Sequence, residues 1–114
     1  MFGIAFAAQQ MPTCEPSSAT TCARKDATFK CVYEKLDDEA LSWYYHNLHI
    51  ILSYEDKLLD GRDESKYNIS GNGLTLTIHD VNITDSGNYT LRTTSESFTC
   101  SLTVIGNYLN IIYF

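Results

Sequence analysis

The sequence predicts an all-β fold, an antiparallel β-sandwich, and three observations lead there. The run Asp80-Val-Asn-Ile-Thr-Asp-Ser-Gly-Asn-Tyr89 reads as a corner between two strands. Asp85 and Gly87 set a tight turn, and Tyr89 opens the next strand, where a buried tyrosine plugs the sandwich and bonds back to upstream backbone. Just before it, Leu74-Thr-Leu-Thr-Ile78 alternates with period two and places Leu76 in the core. Finally, short alternating segments punctuated by turn residues recur along the chain, the pattern of an antiparallel sandwich.

Each element follows from local chemistry. Residues 9–26, with Pro12 and Pro16, read as an irregular or edge strand, because proline cannot donate to a ladder. Residues 27–33 alternate, with Phe29, Cys31 and Tyr33 on one face and Thr28, Lys30 and Val32 on the other. Asp37-Asp38-Glu39 reads as a solvated loop. Strands are expected at 41–46, 49–54 and 66–70, with a charged loop over 55–65 and a trace of helical period near 54–59. Gly71-Asn72-Gly73 reads as a hairpin turn needing positive φ. Residues 88–94 and 97–105 complete the set. The expected division is a lead-in with irregular strand over 1–19, one domain over 20–106, and a linker over 107–114.

Composition narrows the function. With 114 residues the chain holds one domain, and 44% apolar against 19% charged residues allow a core. A net charge of −6, with no basic cluster, argues against nucleic acid or anionic lipid as partner. No stretch approaches the ~20 apolar residues of a membrane span. Met1–Ala8 is apolar, and Ala5-Phe6-Ala7 has the form of a cleavage site, so a signal-peptide remnant or a plain lead-in is expected there. Four cysteines suggest disulfides. Sequons at Asn68, Asn82 and Asn88 agree with a secretory, extracellular setting.

Together, Asp85-x-Gly87-x-Tyr89 after an alternating strand, with Cys31 and Trp43 upstream, resemble an immunoglobulin-superfamily domain of the I-set or V-set kind over about residues 20–106. In that frame 27–33, 41–46, 49–54, 66–70, 74–79, 88–94 and 97–105 are strands B, C, C′, D, E, F and G. One position departs from the family. The second cysteine is expected two residues after the tyrosine, and Leu91 stands there. If Ser95-Glu96 forms a two-residue turn, Leu91 faces Cys100, about 5 Å away on strand G. Cys31 to Cys100, with Cys14 to Cys22, is then the preferred pairing; it would close a loop of about 70 residues and contribute roughly 4 kcal/mol. Cys14 to Cys100 with Cys22 to Cys31 stays open, since four cysteines allow three pairings. The resemblance puts Trp43 in the core over the inter-sheet disulfide. It often has an arginine paired with Asp85, for which Lys66 is a weaker substitute.

No catalytic constellation is present. There is no Gly-x-Ser-x-Gly, no phosphate-binding glycine loop and no Cys/His nucleophile pair. His46 and His49 on a strand and its turn do not converge, His79 ends a strand, and the cysteine spacing is not that of a zinc site. No cofactor or metal is expected, and no enzyme. Tyr44 and His46 on C, Thr90 and Arg92 on F, and Thr99, Ser101 and Thr103 on G share one outer face, with Tyr54 beside them. Tyrosine and arginine anchor interfaces, and the resembled family often binds through this GFCC′ face. Asn88 has the same outward parity, so a glycan there would cover part of the face. The expected function is extracellular protein recognition, with another copy of the chain or with a different receptor or ligand. A secreted decoy and an intracellular structural I-set module are the alternatives.

Overall fold

A computed structural model describes residues 12–45, 50–54, 57–58 and 65–106. The strands are β1 (Thr13–Glu15), β2 (Ser18–Cys22), β3 (Ala27–Val32), β4 (Ser42–Tyr45), β5 (Ile50–Tyr54), β6 (Lys57–Leu58), β7 (Tyr67–Ser70), β8 (Thr75–Ile78), β9 (Gly87–Arg92) and β10 (Ser97–Ile105). They form two sheets, ordered β1-β3-β8-β7 and β2-β10-β9-β4-β5-β6. Strands β3, β4, β5, β7, β8, β9 and β10 take the places of B, C, C′, D, E, F and G. All pairings are antiparallel except β2 with β10, which is parallel.

Alternation builds the core. Along β3, buried Ala27, Phe29 and Cys31 alternate with exposed Thr28, Lys30 and Val32. Trp43, Leu76, Ile78, Tyr89, Leu91 and Cys100 are fully enclosed between the sheets. Burying each such large apolar side chain is worth roughly 1.5–3 kcal/mol. The indole N–H of Trp43 donates to the Gly73 carbonyl at 2.9 Å, tying the second sheet to the β7–β8 hairpin of the first. That hairpin turns through Gly71, Asn72 and Gly73, all with positive φ, as its sequence requires.

The residues expected as an irregular strand A form two short pieces, one on each sheet. β1 pairs with β3, and β2 lies beside β10. Pro16 stands between them, and both pieces are sheet edges, where a missing N–H costs nothing. The trace of helical period near 54–59 is overridden: Tyr54 pairs with Lys57 in a β5–β6 hairpin.

The register between β9 and β10 differs from expectation. Leu91 faces Phe98, and Cys100 faces Tyr89. The connection is a four-residue turn over 93–96. The Thr93 N–H donates to the Glu96 carbonyl at 2.8 Å, while its hydroxyl accepts from the N–H groups of Ser95 and Glu96. Cys100 therefore lies one step further down the core than the expected disulfide requires.

The preferred pairing is thus corrected, and so is its alternative. Cys31 is joined to Cys14, directly opposite it on β1. The crosslink lies within one sheet, and Trp43 packs over no inter-sheet disulfide. Cys22, exposed, and Cys100, buried, are free thiols. Burial pushes the Cys100 thiol up to about 11.

Candidate partner-binding face

The lower end of β9 fixes the sheet that carries the candidate face. Ile83–Asp85 form a single 3-10 turn. Asn82 caps it with its side-chain oxygen, accepting from Thr84, and Asp85 reaches back to the Asn82 N–H at 2.8 Å. The Tyr89 hydroxyl donates to the Asp85 carbonyl at 2.6 Å. Gly87 then turns the chain at φ 147°, a conformation a side chain would resist. Lys66 pairs with Asp85 at 2.6 Å, as expected for the arginine's substitute. Sequence reasoning missed a second tyrosine. Tyr45 stacks on Tyr89 at 4.6 Å and donates to the Thr84 carbonyl at 2.7 Å. Its parity with Trp43 was the available signal.

The upper end is fixed by Glu39, which reads in the sequence as part of a solvated loop. It is only 4% exposed. Its carboxylate accepts from the Tyr33 hydroxyl (2.7 Å), the Leu36 N–H (3.1 Å), and the Thr94 N–H and hydroxyl (3.1 and 2.9 Å). Burial alone would push this carboxyl up. The bonds from Thr94, Tyr33 and Leu36 outweigh it and hold the group at about 2. The 33–41 loop and the 93–96 turn are thereby tied together at one end of the sheet.

Between these ends lies the outer face of β10, β9 and β4. Tyr44, Thr90 and Thr99 form one cross-strand row, and the two threonine hydroxyls bond at 2.9 Å. Ser42, Arg92 and Ser97 form the row above. The Arg92 guanidinium lies 5.6 Å over the Tyr44 ring, a diagonal cation–π pair worth ~0.5–1 kcal/mol at an exposed site. Arg92 is exposed and Tyr44 half-buried. Below, exposed Asn88 pairs with Ser101, and Ser101 with Ser18 of β2. Of the predicted partner-binding residues, Tyr44 and Arg92 are brought together. His46 lies outside the described residues, as do His49, Met1–Ala8 and the 107–114 segment. Tyr54 is placed on β5, but its side chain is not described.

The chemistry elsewhere is sparse. His79 bonds Asp26 through Nδ1 at 3.1 Å on the surface. Hydrogen bonds from the Asp80 N–H and from His79 hold the Asp26 carboxyl below its ordinary range. An open groove beside β1 is lined by Glu15, Lys30 and the closed Cys14–Cys31 bridge, away from the face described above. Among the described residues, no helix is long and apolar enough to cross a membrane.

Two sheets packed face to face, a buried tryptophan on β4 and a tyrosine-closed corner define an immunoglobulin-type sandwich. The model of the immunoglobulin domain family matches residues 12–95, and the chain belongs to that family. Solved structures agree on the fold. The first domain of Dpr1, bound to that of DIP-eta, superposes with a TM-score of 0.71 at 19% identity, over 83% of this chain and 97% of that one. The first domain of mouse SynCAM 2 gives 0.68 at 22% identity, over 86% and 98%. The ZIG-8 first-domain homodimer gives 0.66 at 14% identity, over 80% of each. No curated protein matches the chain by sequence.

Proposed function

We propose that the chain is an extracellular recognition module that binds another protein through the outer face of β10, β9, β4 and β5. The observation that carries this reading is the exposed Arg92 guanidinium over the Tyr44 ring, beside the hydroxyl-bearing Thr90, Thr99 and Ser97. These are the residue types that anchor interfaces, and holding them in one geometry beforehand lowers the entropy lost on docking. The Cys14–Cys31 bridge suits an oxidising compartment. Structural relatives that pair domain to domain, as in the Dpr1–DIP-eta complex and the ZIG-8 homodimer, support the same reading. Another copy of this chain is the first partner to test.

Sedimentation velocity across concentration tests it. Self-association of the wild-type domain is expected, weakened at least tenfold in the Tyr44→Ala/Arg92→Ala double variant; tenfold corresponds to about 1.4 kcal/mol. A dimer whose affinity survives both changes uses a different surface. A domain that stays monomeric at every concentration turns the search to a heterologous partner.

A further inference from the structure

We propose that Asn88 receives an N-linked glycan before β9 docks, and that this glycan then closes the β10–β9–β4 face. The proposal deepens the reading of that face as the binding surface and rests on it for its consequence, not for the modification.

The three sequons sit in different structural settings. Asn82, Ile83 and Thr84 are all exposed on the corner. Asn68 and Ser70 are exposed on β7, an edge strand of the opposite sheet. The third, Asn88-Tyr89-Thr90, lies in β9, paired on both sides, with β4 and with β10. Its middle residue, Tyr89, is fully buried with its hydroxyl bonded to Asp85. Its threonine is 7% exposed, and the hydroxyl is bonded to Thr99. A transferase must thread the acceptor as a free chain and engage that hydroxyl. In the folded domain the backbone and the hydroxyl are both occupied. Transfer at Asn88 therefore competes with the docking of β9. The corner sequon is hydrogen-bonded as well, its Thr84 hydroxyl to the Asn82 side chain, but all three of its residues lie at the surface and none is in a strand paired on both sides.

The transfer needs a lipid diphosphate-linked oligosaccharide. The Asn88 amide nitrogen attacks the anomeric carbon and forms the C–N bond. The C–O bond to the diphosphate breaks, its electron pair leaves with the diphosphate, and the amide gives up one proton to a base of the transferase. The product still folds, because the Asn88 side chain points outward and is exposed. Along the strand, Asn88 is about 7 Å from Thr90 and about 14 Å from Arg92. A bulky saccharide at that point stands over the row of Tyr44, Thr90 and Thr99. The secreted chain then consists of two populations, a bare form with an open face and a modified form with a closed one.

The test uses the full chain secreted from a glycosylating eukaryotic cell. Glycopeptide mass spectrometry is expected to find Asn88 partly occupied; a bare Asn88 in every molecule overturns the proposal. Folded, bare protein offered to detergent-opened, transferase-bearing microsomes with the lipid-linked donor is expected to gain no glycan at Asn88, while the same protein offered unfolded gains one there. Modification of Asn88 in the folded protein overturns the order of events. Hydroxyl-radical labelling of Tyr44 is expected to be at least threefold lower in the separated fraction modified at Asn88 than in Asn88→Gln, and equal labelling overturns the closing of the face. None of these readouts needs a partner. Asn88→Gln is expected to self-associate at least tenfold more tightly than the separated fraction modified at Asn88, with Asn68→Gln as the silent control. Failure of Tyr44→Ala/Arg92→Ala to weaken that association counts against the face alone.

Discussion

Two buried carboxylates sit beyond opposite ends of β9, and they are satisfied in different ways. Asp85, at the lower end, has a counter-charge: Lys66 at 2.6 Å, together with the Asn82 N–H. Glu39, at the upper end, accepts four hydrogen bonds, all from neutral groups. The lysine side chain at the lower end is 21% exposed, so it can turn to water if its partner goes. The donors at the upper end include two backbone N–H groups, which cannot move without unmaking the loop and turn. The upper carboxylate is therefore the more consequential of the two, although it carries no ion pair. Charge pairing is a poor guide to which buried acid matters; the mobility of the donors decides.

The largest test of this difference is Glu39→Ala. It leaves the Leu36 and Thr94 N–H groups and the Tyr33 hydroxyl without an acceptor. A stranded donor costs ~1–3 kcal/mol where water cannot reach it; Leu36 and Thr94 are exposed, so their groups rehydrate in part, and we expect a loss of about 2 kcal/mol in all. For a domain of this size that lowers Tm by on the order of 10 °C. Calorimetry showing a loss under 1 kcal/mol would mean that water replaces the carboxylate. Acid separates the two ends further. Glu39 is held at about 2 when folded, against an ordinary 4.5. A carboxyl depressed on folding contributes stability that is complete above the unfolded value and disappears as pH falls through the folded one. The wild type should weaken between about pH 4.5 and 2, and Glu39→Gln should start less stable with a flatter profile over that window. Parallel profiles from denaturant titrations at each pH would assign the acid sensitivity to other groups.

Tyr89→Phe probes the lower end at a smaller scale. It keeps the ring, stacked on Tyr45, and removes the hydroxyl with its bond to the Asp85 carbonyl. The expected loss is ~1 kcal/mol, the net worth of one hydrogen bond. Burial pushes the Tyr89 hydroxyl far above its ordinary range, so this bond stays protonated at any working pH.

The Asp85–Tyr89 corner of the lower end was legible in the sequence because its parts are local, whereas Tyr45, which reaches it from β4, was missed. Asp85, Gly87 and Tyr89 fall within five residues, and each is required by the turn it makes. The strands were legible because half-buried sheets impose alternation. The β9–β10 register was not, and the reason is geometric. A two-residue turn at 95–96 and the observed four-residue turn at 93–96 differ by two positions in pairing. Both point Tyr89, Leu91, Phe98 and Cys100 inward, so alternation cannot tell them apart. The disulfide followed from that register and failed with it. Its true partner, Cys14, sits on a three-residue strand too short to show a period. Glu39 was unreadable for a third reason: two of its four bonds reach Thr94, and nothing in Asp37-Asp38-Glu39 marks the third acid as different from the first two. On the face, Tyr44 and Arg92 were correctly placed on one side by parity, but their contact depends on the diagonal offset between β4 and β9.

The finest discrimination between the two ends is by salt. Lys66→Met removes the ion pair while keeping the aliphatic stem, and the Asn82 N–H still serves Asp85. The expected cost at low ionic strength is about 1 kcal/mol, a partly exposed pair lying near the upper range for surface ion pairs. Because the lysine is open to solvent, added salt screens the interaction. The gap between wild type and Lys66→Met should therefore narrow by a few tenths of a kcal/mol between low salt and 1 M sodium chloride. The gap between wild type and Glu39→Ala should not narrow, because hydrogen bonds from neutral donors in an enclosed site have no counter-charge to screen. Equal salt responses in the two variants would mean that both carboxylates are felt chiefly through the long-range field of an acidic domain, and that the local donor sets described above are secondary.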